Sequence, residues 1–319
     1  MKTSLICLLL LLACVSIATG QSLEIKNAPN ILNISSCFIS DSEGWLAGSN
    51  GKIYHTSSGG NKWDSTDVDQ AFLQLDFTSP ELGYALTENT LYKTIDGGNT
   101  WLSLELPGNP EPALYFPDNL NGLVSGAGRL FKTSNGGETW TTILTEGISF
   151  LDYFFISPSV VVAVAASMKD YQCIWKSIDC GMTWKNVFNE KGYCPKAIFF
   201  INKKVGWAAG YYDDAGLGKV PVIVNTTDGG ETWSERYRNE DISGYGEPLI
   251  DIRFKNELEG YALSRHNYDV FTTDGGQTWQ LMSDSQELSE RPVYGLFRML
   301  DGVSDLYLIG ESGTVAVWK

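Results

Sequence analysis

The sequence predicts an all-β chain folded as a seven-bladed β-propeller, its last blade closed by the N-terminal strand. Three observations carry that expectation. A Gly-rich phrase ending in Trp recurs at the spacing of one small supersecondary unit. Short strand-like runs separated by turn residues fill the intervals, with no sustained 3.6-residue periodicity after the first residues. Finally, the two ends of the chain each hold part of one more unit.

The phrase reads TSSGGNKW to Trp63, TIDGGNTW to Trp101, TSNGGETW to Trp140, SIDCGMTW to Trp184, TTDGGETW to Trp233 and TTDGGQTW to Trp279. Its six copies lie 38 to 49 residues apart, a period that signals a solenoid or propeller rather than two ordinary domains. Ahead of each copy the same order returns: a strand ending in Phe (Phe38, Phe77, Phe116, Phe155, Phe200, Phe254), a turn, then a second and a third strand. The second strand opens on an aromatic at Trp45, Tyr84, Trp207, Tyr261 and Tyr307, with Leu123 and Val162 in the third and fourth units.

A seventh unit begins near Val293, and GESGTVAVW (310–318) aligns with GSNGKIYHT (48–56) of the first. The chain stops before an outer strand, while QSLEIKNAP at the mature N-terminus is similar to the strand WLSLELPGN (101–109). Pairing the two ends would remove the exposed edges that an open array leaves.

Residues 1–20 have a Lys, a short apolar run and a small-residue site at Ala18-Thr19-Gly20, the layout of a secretory signal peptide. Residues 21–319 are read as one domain outside the cytoplasm, secreted or periplasmic. LLAC ending at Cys14 is the alternative, a lipoprotein box that would anchor the chain at a membrane surface. No later segment is long and apolar enough to span a bilayer. A net charge of −15 argues against nucleic acid, whose phosphates need clustered Lys and Arg.

In the phrase, Asp96, Asn135, Asp179, Asp228 and Asp274 are placed to accept bonds from the following N–H groups, and Gly supplies a positive φ. The Trp after the turn (Trp63, Trp101, Trp140, Trp184, Trp233, Trp279) leads into an outer strand and packs between hairpins. Ser58 and Lys62 depart from the pattern in the first copy, and Cys180 stands at a Gly position in the fourth. The phrase resembles the Asp-box, or bacterial neuraminidase repeat. That resemblance implies that these residues are structural and close the c–d hairpin of each blade, away from the ligand-binding face. In single-propeller size, export signal and repeat wording the chain most resembles the photosystem II assembly factor propellers and their non-photosynthetic relatives. Sialidase and sortilin-type propellers are more distant.

Insertions lengthen units four to six on the rim opposite the phrase: SMKDYQ (167–172), NEKGYCP (189–195), YYDDAGLGK (211–219) and RNEDISGYGEP (238–248). Tyr171, Tyr193, Tyr211, Tyr212, Tyr245, Arg265, His266 and Tyr268, beside Asp213 and Asp214, form the candidate binding face. Aromatics with a few charges suit a peptide or a glycan. The competing reading is that these Tyr residues only pack long loops onto the rim. Of the cysteines after residue 20, Cys173 and Cys194 map to adjacent connections on that face and are expected to form a disulfide, although four Cys allow three pairings.

The function expected is a non-catalytic scaffold that binds a protein or glycan, with no cofactor, metal ligand or catalytic residue assigned. The alternative is a sialidase-like glycoside hydrolase, for which Asp76, Asp251, Arg253 and Arg298 near the channel are the polar candidates. The Arg-Ile-Pro motif usual in sialidases is missing, and His55 and His266 offer neither a metal cluster nor a serine-type triad.

Overall fold

The computed structural model describes residues 23–27, 35–47, 50–145, 148–167, 173–214, 218–239, 248–264, 269–281, 293–296, 298–299, 306–310 and 314–318. Among them every regular element is a strand. Unit 2 shows the plan: Gln74–Phe77, Gly83–Leu86, Leu91–Thr94 and Leu102–Leu104 pair in sequence order as an antiparallel sheet. The same up-and-down order recurs in the sheets that begin at Pro110–Tyr115, Ile148–Ser157, Tyr193–Phe200 and Leu249–Phe254. In unit 1, Ser35–Phe38 opens the sheet and also pairs in parallel with Arg298–Met299, Cys37 opposite Arg298. The ends of the chain meet: Leu23–Asn27 runs antiparallel to Thr314–Trp318, Leu23 opposite Trp318, in a sheet completed by Leu306–Gly310 and Val293–Leu296. First strands touch one another in chain order, and those near the C-terminus return to Ser35–Phe38, a propeller-like ring.

Side chains explain why the sheets stack face to face. In units 1, 2 and 3 the Phe that ends the first strand lies over the Gly that opens the second, so closely that a Cβ on Gly44, Gly83 or Gly122 would meet the ring at 2.3 to 2.6 Å. The Trp after the turn meets that Phe edge-on, as in Phe77–Trp101 at 6.0 Å and Phe116–Trp140 at 6.3 Å. The next aromatic then stacks on the Phe of the following unit: Trp45 on Phe77 (3.9 Å, 4°), Tyr84 on Phe116 (3.5 Å, 3°) and Trp207 on Phe254 (3.6 Å, 16°). Each such pair adds about 0.5–1.5 kcal/mol beyond area burial. Trp45, Tyr84, Trp207 and Phe254 are all buried.

Polar struts join neighbouring first strands. The Asp76 Oδ2 accepts Phe116 N–H at 2.5 Å, the Ser35 hydroxyl accepts Leu75 N–H at 2.8 Å, and the Asp152 Oδ2 accepts Ile198 N–H at 3.0 Å. Asp251 is bound to Arg253 at 2.6 Å. Burial pushes the Asp152 carboxyl up, against the pull of Arg253. Asp76 and Asp152 thus hold neighbouring strands together, whereas the Asp251–Arg253 pair lies within one strand.

Candidate functional site

The rims of this ring differ in chemistry. On one rim sit the turns. In unit 2 the Thr94 hydroxyl donates to Asp96 (2.8 Å) and accepts Gly98 N–H (2.9 Å); Asp96 accepts Thr100 N–H (2.8 Å) and the Thr100 hydroxyl (2.6 Å). Trp101 Nε1 closes back onto the Gly98 carbonyl at 3.0 Å. Asp179 and Asp228 repeat the two Thr bonds, and Asp274 does so with Thr278. Asn135 substitutes its amide for one of them, donating to the Thr139 hydroxyl at 2.9 Å. In unit 1 the Ser58 hydroxyl accepts Lys62 N–H at 3.0 Å. These carboxylates are occupied by their own backbone, which holds Asp96 and Asp228 below the usual carboxylate range, the Thr hydroxyl being the largest cause in each.

The other rim carries a projection. Strands Gly206–Asp214 and Gly218–Thr226 form a hairpin longer than its counterparts in units 1 and 2, and Tyr193–Phe200 extends alongside it. Because Gly218–Thr226 runs from this hairpin to the turn of the same unit, the two features lie at opposite ends of one strand. Register sorts the side chains. Tyr193 faces Tyr212, while Cys194 faces Tyr211, and successive residues point to opposite faces of a strand.

On one face Tyr193 and Tyr212 meet edge-on at 5.2 Å, with the Arg238 guanidinium 3.9 Å from the Tyr212 ring. Arg238 donates to the Tyr193 hydroxyl at 2.7 Å and pairs with Glu235 at 2.5 Å, while the Tyr193 hydroxyl donates to the same carboxylate. Burial, then Glu235, pushes Tyr193 up to about 12. Tyr193 is buried, so on this face the aromatics pack the loop onto the body. On the opposite face Tyr211 lies between two ammonium groups, Lys219 at 4.8 Å and Lys196 at 5.7 Å from its ring. Burial and a hydrogen bond shared with Cys194 push Tyr211 up to about 12. Asp213 is exposed, opposite Lys219 in the register.

Of the residues named from sequence, the structure therefore brings Tyr193 with Tyr212 and separates Tyr211 from both. Tyr171, Tyr245, Arg265, His266 and Tyr268 lie outside the described residues, and Asp214 is described in its backbone alone. The Cys173 side chain is likewise outside them, so the proposed Cys173–Cys194 bridge rests on one described partner, Cys194, which is buried. Sequence reasoning missed Lys196, Lys219, Arg238 and Glu235. The first two were legible as charges flanking Tyr211 across a predicted hairpin; the last two approach from an outer strand, and only tertiary pairing brings them in. Among the described residues no His, Cys, Asp or Glu group is placed to hold a metal, and no helix is long and apolar enough to cross a membrane.

Comparison with known proteins agrees with this architecture. No curated protein matches the chain in sequence. Among solved structures, YCF48 bound to a D1 peptide superposes with a TM-score of 0.69 at 20% identity, covering 93% of this chain and 96% of that one. YCF48 from Cyanidioschyzon merolae gives 0.68 at 17% identity, covering 92% and 98%. A GH74 xyloglucanase from Xanthomonas campestris gives 0.64 at 13% identity, covering 93% of this chain and 53% of the enzyme. At such identities these likenesses establish the fold, and the sequence itself supplies the kinship. Residues 14–173 match the model of the photosynthesis system II assembly factor YCF48 family, and the chain belongs to that family.

Proposed function

We propose that the chain is an exported assembly scaffold, a single seven-bladed β-propeller over residues 21–319 with Asp-box turns on one rim, that binds a protein partner on the other. The signal peptide (1–20) and an extracytoplasmic location are part of this reading. The observation that carries it is the unit 5 hairpin, which sets Tyr211 between Lys196 and Lys219 at the far end from the turns. An aromatic ring flanked by two ammonium groups suits an extended segment that carries a carboxylate beside an apolar side chain. A related propeller has been solved with a D1 peptide, which supports a peptide or protein as the class of partner. The hydrolase alternative is not favoured by the inner carboxylates, which hold Phe116 N–H, Ile198 N–H and Arg253.

The test is capture of partners from the native extracytoplasmic fraction with three chains: wild type, Tyr211→Ala with Lys196→Ala and Lys219→Ala, and a chain whose residues 211–219 are a short Gly-Ser turn. A partner lost with both variants supports the reading. Retention of every partner by both variants removes the hairpin from the site.

A further inference from the structure

The repeat places one third-strand residue, just before the turn, where it can reach across to the turn of the next unit. In unit 2 that residue is Lys93, whose Nζ donates to the Gly136 carbonyl at 2.8 Å and lies 5.6 Å from the Tyr84 ring. In unit 4 it is Lys176, paired with Glu231 of the following turn at 2.7 Å and largely buried. Both inter-unit grooves are therefore filled by an ammonium on a flexible stem, its chain lying along apolar surface.

Unit 1 has His55 at this position. His55 is turned aside: its Nε2 is 2.5 Å from Glu43 Oε1, and its ring stacks on Trp45 at 5.0 Å and 27°. In the units with Lys at this position, the residue aligned with Glu43 is uncharged: Leu82 in unit 2, Asn121 in unit 3, where Lys132 stands, and Val160 in unit 4. The consequence is a cleft of about 300 Å³ between units 1 and 2, lined by His55, Asp64, Glu81, Asp96, Gly97 and Asn99 among others. Its polar groups are not equally committed. Asp96 is held by its own turn, and Asp64 pairs with Lys62 at 3.2 Å. Glu81 accepts only the Ser79 hydroxyl, at 3.2 Å, and makes no ion pair among the described residues. The Gly97 carbonyl, equivalent to the Gly136 carbonyl that Lys93 caps, accepts Trp45 Nε1 at 2.9 Å, one donor where Gly136 has two.

We propose that this cleft receives a lysine side chain of a partner protein, its ammonium taking the place that Lys93 and Lys176 occupy in the equivalent grooves. The occupant is chemically specified from within the molecule. It is a compact cation on an apolar stem, long enough to pass between two sheets and meet the Gly97 carbonyl, with the exposed Glu81 carboxylate also on the lining of the cleft. A neutral polar group forgoes the attraction of the Glu81 charge, and a planar guanidinium differs in shape and hydration from the compact ammonium that two lysines of this chain place in the equivalent grooves. The cleft lies on the rim opposite the unit 5 hairpin, so this contact is independent of the binding face proposed above.

The experiment is titration of the folded full chain with the tripeptide amide acetyl-Ala-Lys-Ala, followed by the backbone amide resonances of Gly97 and Asn99. The norleucine and arginine tripeptides and magnesium chloride are run beside it. The expected result is a saturable shift with the lysine peptide, at least about tenfold weaker for norleucine because a charge-assisted bond is lost. Glu43→Leu with His55→Lys copies the unit 2 pair, fills the cleft from inside, and should abolish the shift while leaving the melting temperature equal or higher. Glu81→Gln should weaken binding by about two- to fivefold with the fold unchanged. Equal response to norleucine, arginine or magnesium overturns the proposal, as does full binding by either variant. Replacing residues 211–219 should leave these shifts as they are, which separates failure here from failure of the hairpin.

Discussion

Units 2 and 4 share one pattern and solve it differently. In unit 2, Gly83 is bare, Phe77 lies over it, and Tyr84 reaches onward to stack on Phe116. Unit 4 has Val161 at the Gly position and Val162 at the aromatic one, both fully buried. With the space above the backbone taken, Phe155 turns toward Tyr115 (5.0 Å, 32°) and packs between units 3 and 4. The stacking place on Phe200 passes to Phe154, 5.7 Å away and tilted by 36°. Phe154 stands where unit 2 has Asp76, and the polar strut moves two residues earlier, to Asp152. Glycine, phenylalanine and aromatic are therefore one linked set, and a change in the first is accompanied by change in the others; the strut varies separately, since unit 5 keeps Gly206, Phe200 and Trp207 yet has Phe199 at the Asp76 position. A column of Phe residues read from sequence contains two structures.

The largest expected effect comes from forcing the unit 4 choice on unit 2. Gly83→Val alone puts carbon within 2.6 Å of the Phe77 ring and should cost about 3 kcal/mol in urea denaturation. Val161→Ala, which only trims a buried side chain, should cost about 1–2 kcal/mol. A loss below about 1 kcal/mol for Gly83→Val would mean that Phe77 can swing as Phe155 does, and the linkage would be a historical accident rather than a packing requirement.

The same contrast shows what sequence could disclose. Repeat spacing made the turn residues legible, because Asp96, Asp228 and Asp274 bond almost entirely within five residues of themselves. Pairing of Leu23–Asn27 with the C-terminal strand was legible for a different reason: each end lacked what the other held. The candidate face was only half legible. Tyr193 and Tyr212 stood out as aromatics, but whether an aromatic is exposed or capped depends on Arg238, which is far away in sequence and arrives through the outer strand of the sheet. The lysine slot was invisible until the groove between neighbouring sheets could be seen, since Lys93, Lys176 and His55 look like ordinary surface residues at one repeat position.

A second effect, smaller and of opposite sign in the two units, concerns the turn tip. Gly97 has φ +72° and Cys180 has φ +58°, the left-handed region where a side chain is strained. A Cβ on Gly97 would also meet the Pro80 carbonyl at 3.0 Å, and the Cys180 thiol donates to the equivalent Pro158 carbonyl at 2.8 Å. Gly97→Ala should cost about 1–2 kcal/mol. Cys180→Gly should gain about 0.5–1 kcal/mol, because relief of strain outweighs one weak thiol bond. If Cys180→Gly destabilises the chain, the thiol contact is worth more than the backbone strain, and unit 4 is adapted rather than merely tolerant.

The smallest effect separates unit 3 from its neighbours through pH. Asp96, Asp179, Asp228 and Asp274 are all held below the usual carboxylate range; in Asp179 and Asp274 burial is the largest single influence and pushes upward, and the hydrogen-bond donors together outweigh it. A carboxyl depressed in the folded state contributes stability that is full above its unfolded pKa, near 4, and is lost as pH falls through its folded value. Asn135 has no such charge to lose, and its amide donates to the Thr139 hydroxyl instead. Asn135→Asp should reverse that bond and add about 0.5 kcal/mol at pH 7, the size of a solvent-screened interaction. The gain should shrink progressively as pH falls below about 4, toward the depressed folded values. The comparison must be made between variants at each pH, because Asp269 works the other way. Burial raises it to about 6, so the folded chain takes up that proton before the unfolded chain does, and acidification from 6 toward 4 stabilises the fold. A difference between Asn135→Asp and wild type that is flat from pH 7 to 2 would show that the turn is held by geometry alone, and that the carboxylate in the other units is interchangeable with an amide.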